Sequence, residues 1–131
     1  MNQEPCTVAD LTRMDFDDSV HPRAFFDRAL EIAVDDWADL DRQFVAWLSR
    51  EGYLTRARLP IHNHAQRGKY FINDKPQHSR PDFDGNWHKV GDFYVDTKYN
   101  AQSHVKNLLR TLEQVGLRDP HFYLAFRTSR R

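Results

Sequence analysis

The segment from Asn100 to Gly116 constrains the fold more than any other stretch of this chain. Ala101, Val105, Leu108, Leu109, Leu112 and Val115 recur at spacings of three and four, which draws one apolar stripe along a helix. Asn100 suits the N-cap and Gly116 suits the position just past the end. A helix with one apolar stripe must bury it against a second layer. The flanking segments supply that layer, because Lys69–Asn73, Trp87–Val90, Phe93–Tyr99 and His121–Phe126 read as extended runs. Gly91-Asp92 joins the middle pair as a tight turn, or bends a single strand as a bulge.

A second helical period lies upstream. Phe26, Leu30, Ala33, Trp37, Leu40, Phe44, Trp47 and Leu48 predict one long helix, or two collinear ones with Asp35 or Asp36 capping the second. Pro22 suits a helix first turn and Gly52 its end. Tyr53, Thr55, Ala57 and Leu59 then alternate with Leu54, Arg56 and Arg58, which predicts a strand up to Pro60; His62–Gly68 reads as a polar connection. The expected architecture is α+β, with a central mixed sheet of about four strands and the order helix, three strands, helix, strand. A length of 131 residues fits one domain. The expected layout is an N-terminal arm over residues 1–20 and a single domain over 21–131.

Cys6 is the only cysteine, so an internal disulfide and a cysteine-based zinc cluster are excluded, and a reducing compartment is expected. No stretch approaches the ~18 consecutive apolar residues of a membrane span. The N-terminus carries no basic region followed by an apolar one. The expectation is a cytoplasmic protein with no membrane partner.

The net charge of zero is a sum of unlike halves. Residues 1–51 hold 12 acids and 5 bases, whereas residues 52–131 hold 7 acids and 14 bases. Such asymmetry points to a charged partner on the basic side or to attraction between the halves. In the basic half Arg56, Arg58, Arg67, Lys69, Arg80 and Lys89 are interleaved with Tyr70 and Trp87. Guanidinium and ammonium groups bind phosphates and aromatic faces stack on bases, so these six are the candidate nucleic-acid contacts. His62 and His64 would share a face if Ile61–Ala65 is extended, and they read as solvated loop histidines.

The candidate chemistry lies between Arg80 and Asn100. Pro81-Asp82 precedes Asp96-Thr97-Lys98, and Asp96 and Lys98 would project side by side from one strand face. Two carboxylates from neighbouring strands can hold Mg²⁺, while a nearby Lys positions or deprotonates a water. In these residues and in the coarse order of elements, the chain resembles the PD-(D/E)xK nuclease superfamily. The resemblance implies metal-dependent phosphodiester cleavage in DNA or RNA, with Asp82 and Asp96 on Mg²⁺ and Lys98 serving the attacking water. It also implies a further carboxylate on the first helix, where Glu31 is the candidate, and a helical glutamine, Gln102. If Gly91-Asp92 is a hairpin turn, Asp82 falls outside the paired strands and Asp74 or Asp84 becomes the alternative metal partner. The other function class is a non-enzymatic inhibitor or immunity-type factor that binds a protein or nucleic-acid partner through its acidic helix and basic sheet half. Phosphate-cradling glycine loops, nucleophile elbows and dinucleotide fingerprints do not occur, which leaves kinases, serine hydrolases and nicotinamide enzymes unsupported.

Overall fold

The computed structural model describes residues 5–65, 67–117 and 122–128. The chain is mixed α+β, with two antiparallel four-stranded sheets and three helices in place of the single mixed sheet and the order expected from sequence. The first sheet contains β1 (Cys6–Thr7), β2 (Val20–Asp27), β3 (Leu30–Ala33) and β8 (Phe122–Thr128), in the order β1-β8-β2-β3. The second contains β4 (Ile61–His62), β5 (Tyr70–Asn73), β6 (Trp87–Val90) and β7 (Phe93–Asp96), in the order β4-β5-β7-β6. Helix α1 spans Val8–Arg13, α2 spans Trp37–Arg50 and α3 spans Ala101–Gln114. The expected strand start at His121 and the Ser129–Arg131 tail lie outside the described residues.

The expected long N-terminal helix is replaced over its first half by the β2–β3 hairpin. Phe26 pairs with Glu31 and Asp27 with Leu30 around Arg28-Ala29, with Arg28 at φ 57. The reason is tertiary. β8 returns from the far end of the chain and pairs along all of β2, from Val20↔Thr128 to Asp27↔Phe122, and partners of that kind override local propensity. Pro22 sits where the β2–β8 register shifts, at an irregularity that tolerates its missing N–H. The helical period becomes real only at Trp37, after Asp36 caps the helix by accepting a hydrogen bond from the Asp39 amide at 2.8 Å.

The expected strand over residues 53–59 is also absent. Arg56, Ala57 and Arg58 form one exposed 3₁₀ turn, and Leu54 is the residue that buries itself. Residues 5–16 are folded onto the domain: β1 pairs with β8, α1 packs on α3, and Leu11 and Phe16 are buried.

Helix α2 packs on β2 of the first sheet and on β6 and β7 of the second, and so joins them. Its buried Phe44 and Trp47 meet Phe25 and Phe122 with ring centroids 5.8–6.3 Å apart, distances at which edge-to-face and offset contacts are favourable. Trp47 buries its indole without losing its hydrogen bond, donating Nε1–H to Asp27 at 3.1 Å. Helix α3 forms as its stripe predicts. Asn100 accepts from the Ser103 amide, Gly116 follows the end at φ 83, and Val105, Leu108 and Leu112 are buried. The 87–96 segment is the hairpin, with Trp87 opposite Asp96 and Gly91 turning at φ 62.

Candidate functional site

Two sets of polar residues stand out, one sealed in the interior and one opening onto a cleft. The interior set centres on Asp96, which is 1% exposed. Its Oδ1 accepts the amides of Asn86 (2.8 Å) and Lys98 (3.1 Å). Its Oδ2 lies 3.0 Å from His78 Nε2 and accepts the Tyr99 hydroxyl at 3.1 Å. His78 Nδ1 accepts the Tyr70 amide at 2.8 Å, so Nε2 carries the hydrogen and donates it to Asp96. A carboxylate offers about four acceptor positions, and four protein donors take them.

Tyr99 extends this network to Asn63 by a side-chain hydrogen bond; burial first, then the Asp96 charge, pushes its phenol well above the usual value. Gly85 roofs the pair so closely that a Cβ there would lie 3.1 Å from Asp96 Oδ2 and 2.7 Å from Trp87 Nε1. A second buried pair lies alongside, with His104 Nδ1 2.9 Å from Asp41 Oδ2. Trp37 stacks on His104 at 5.3 Å and the Tyr99 ring meets it edge-on at 5.7 Å. Burial pushes the Asp41 carboxyl up to about 6, His104 opposes that shift, and the Asp96 charge adds to it.

The structure gives the motif's residues partners within the protein. Strand β7 ends at Asp96, whose own carboxylate accepts the Lys98 amide, so the alternation that would align the two side chains stops there. The Lys98 ammonium instead meets exposed Asp84 at 3.2 Å. Asp82 lies outside the strands, and its two oxygens take the Arg80 guanidinium at 3.1 and 3.0 Å. Asp74 is exposed beyond β5, and Glu31 lies on edge strand β3, not on a helix, 3.7 Å from Arg23. Gln102 is on α3, as the motif requires, but its Oε1 accepts the Phe16 amide at 2.6 Å. Among the described residues no cluster of three or more His, Cys, Asp or Glu is placed to hold a metal ion.

The second set lines a cleft of about 350 Å³ formed by His62, Asn63, His64, Ala65, Arg67, Gly68 and Arg110. Two arginines and two histidines line one space, and no acidic residue is among its described lining residues. The loop that carries them is held at many points. The Asn63 amide donates to the Lys69 carbonyl, the His64 amide donates to Asn107 Oδ1 on α3, and Ser79 donates to the Gly68 carbonyl. Asn63 also ties the loop to Tyr99, so the interior network positions the cleft. Ile61 and Asn63 are buried, whereas His62, at the end of β4, is exposed and His64, in the bend that follows, is half-buried. His64 Nε2 lies 3.2 Å from the Ser103 hydroxyl; partial burial, with Lys106 and Arg110 nearby, pulls its imidazole below the ordinary value.

Of the six basic residues singled out from sequence, Arg67 lines the cleft. Lys69 and Arg80 flank Phe83 beside Gly68, at 5.8 and 5.1 Å from the ring centre. Arg58 reaches the Gln114 carbonyl at 3.4 Å, and Arg56 is exposed on the 3₁₀ turn. Lys89 lies on β6, at the edge of the sheet opposite β4. Arg110 is not among those six, because nothing local in the sequence links its helix to the loop. A weak signal was present, because Lys106 and Arg110 are four apart and so share a face of α3.

No family model, curated protein or solved structure matches this chain. No helix among the described residues is long and apolar enough to cross a membrane.

Proposed function

We propose that this protein binds single-stranded nucleic acid by its phosphate backbone, in the cleft between the His62–Gly68 loop and helix α3. The observation that carries this reading is the convergence of Arg67, Arg110, His62 and His64 on one cleft without a carboxylate among its described lining. Guanidinium forks match phosphate oxygens, and a preorganised loop lowers the ordering cost of binding. Lys69 and Arg80, which lie over the Phe83 ring, continue the cationic surface next to Gly68. The nuclease motif implies a different activity, Mg²⁺-assisted cleavage by Asp82, Asp96 and Lys98. The cleft reading is preferred because its side chains have open capacity for a ligand, whereas the acceptor positions of Asp96 are filled by protein donors.

The test is fluorescence anisotropy with a labelled single-stranded oligonucleotide over a salt series. Affinity is expected to fall linearly in log–log form as salt rises. The Arg67→Ala, Arg110→Ala double variant should weaken binding and flatten the slope by roughly 1.4, at about 0.7 per lost phosphate contact. Binding that ignores salt, or a double variant that binds like the native protein, would rule the proposal out.

A further inference from the structure

We infer that the cleft cleaves RNA without a metal, with His64 as general base on the ribose 2′-hydroxyl and protonated His62 as general acid on the leaving 5′-oxygen. This rests on the nucleic-acid reading above and gives that site a substrate and a reaction. His62 ends β4 and His64 lies two residues further on, in the bend that follows, and both line the same cleft. Two imidazoles on one cleft can address opposite sides of a phosphorus atom held between them.

Each ring is restrained. His62 is held edge-on to Tyr70 at 5.8 Å, and His64 is held by the Ser103 hydroxyl at 3.2 Å. If His64 donates Nε2–H to Ser103, its Nδ1 keeps the lone pair that takes a proton. The lowered His64 value favours that neutral form. Arg67 and Arg110 line the same space and supply positive charge for the pentavalent phosphorane.

The atoms balance within the substrate and the two rings. The 2′-oxygen bonds to phosphorus as the P–O5′ bond breaks, the 2′ proton passes to His64, and His62 gives its proton to the 5′-oxygen. The products are a 2′,3′-cyclic phosphate and a 5′-hydroxyl, and no oxidant or further reactant enters. DNA lacks the nucleophile and is bound but not cut.

The experiment incubates the protein with end-labelled single-stranded RNA, or DNA of the same sequence, in EDTA, with binding followed in parallel by anisotropy. The expected result is binding of both polymers, cleavage of RNA alone, and 2′,3′-cyclic phosphate ends. His62→Asn and His64→Asn should each slow cleavage at saturating RNA by roughly 10²–10⁴-fold, the usual contribution of a positioned acid or base, beyond any weakening of binding, while the melting temperature changes little. His62 is exposed, so its variant keeps the test open should His64→Asn fold poorly. RNA that is bound but stays intact overturns this inference and leaves the binding reading in place. Cleavage that EDTA abolishes, or that survives the His62→Asn, His64→Asn double variant, overturns it as well. Failure to bind either polymer removes the binding reading and this inference with it.

Discussion

The interior pairs His78–Asp96 and Asp41–His104 and the cleft residues His62, His64, Arg67 and Arg110 draw on the same polar chemistry under opposite conditions. Inside, each Asp96 acceptor position meets a protein donor, and two of the four, His78 and the Asn86 amide, come from other segments of the chain. Such a network anchors segments that are distant in sequence, because a buried polar group without a partner costs ~1–3 kcal/mol. In the cleft, cations and imidazoles gather without a carboxylate among the described lining, which is an unfavourable arrangement until an anion arrives. The difference teaches that a carboxylate beside a histidine can serve the fold, while a site is marked by groups whose capacity is left open. The two regions meet at Asn63, whose side chain reaches Tyr99 and whose backbone begins the cleft loop.

The largest expected effect breaks the interior side of this comparison. Asp96→Ala leaves His78, Tyr99 and two amides without their acceptor and should destabilise the protein by roughly 3–5 kcal/mol, the usual cost of removing one partner of a buried pair. Chemical denaturation measures it; a loss below about 1 kcal/mol would mean that Asp96 is not the hub of the network.

The next effect depends on pH. The Asp41 carboxyl is raised from 3.8 to about 6, so folded protein keeps a proton that the unfolded chain has released. Its stabilising contribution is therefore full below pH 3.8 and is lost as pH rises through about 6. Asp41→Asn has no proton to lose. Relative to the native protein its stability should climb across this window, by up to about 3 kcal/mol, since each pKa unit corresponds to about 1.4. Melting curves of both proteins between pH 4 and pH 7.5 check this, and a constant difference between them would refute it.

The smallest effect concerns the exposed acids. Asp82→Ala removes an Arg80 partner that is open to water, so stability should move by no more than about 0.5 kcal/mol. Binding should hold or strengthen slightly as Arg80 is freed. A loss of binding in this variant would shift the site toward the 80–84 loop.

Much of the fold was legible where its determinants are local. The α3 stripe, its Asn100 cap and the Gly91 turn each sit within a few residues of what they control; the helix forms as expected, and at Gly91 the turn, one of the two readings left open, is the one that forms. The β2–β3 hairpin was not legible, because Arg28-Ala29 lacks the Gly or Asn that usually marks a two-residue turn and the strand partner of β2 lies about 100 residues away. Residues 53–59 failed for a related reason: their alternation resembles a strand, yet Leu54 alone among them is buried.

Of the residues that line the proposed cleft, Arg67 was singled out from sequence as a phosphate contact, while His62 and His64 were read as solvated loop histidines. Arg110 comes from a helix more than 40 residues further on, so only folding brings it to the loop. Asp96 and Lys98 were read through strand alternation, which ends when the Asp96 carboxylate captures the Lys98 amide.

What the chain determined by itself was therefore its short-range order: where α3 begins and stops, where the 87–96 hairpin turns, and which half is basic. Only the tertiary structure decided that Asp96 is sealed under Gly85, that Asp82 faces Arg80 in water, and that Arg110 joins His62, His64 and Arg67. The physical reason is that capping, turning and net charge depend on neighbours along the backbone. Whether a carboxylate is buried or free depends on partners brought from other segments, and spacing in sequence does not encode those partners.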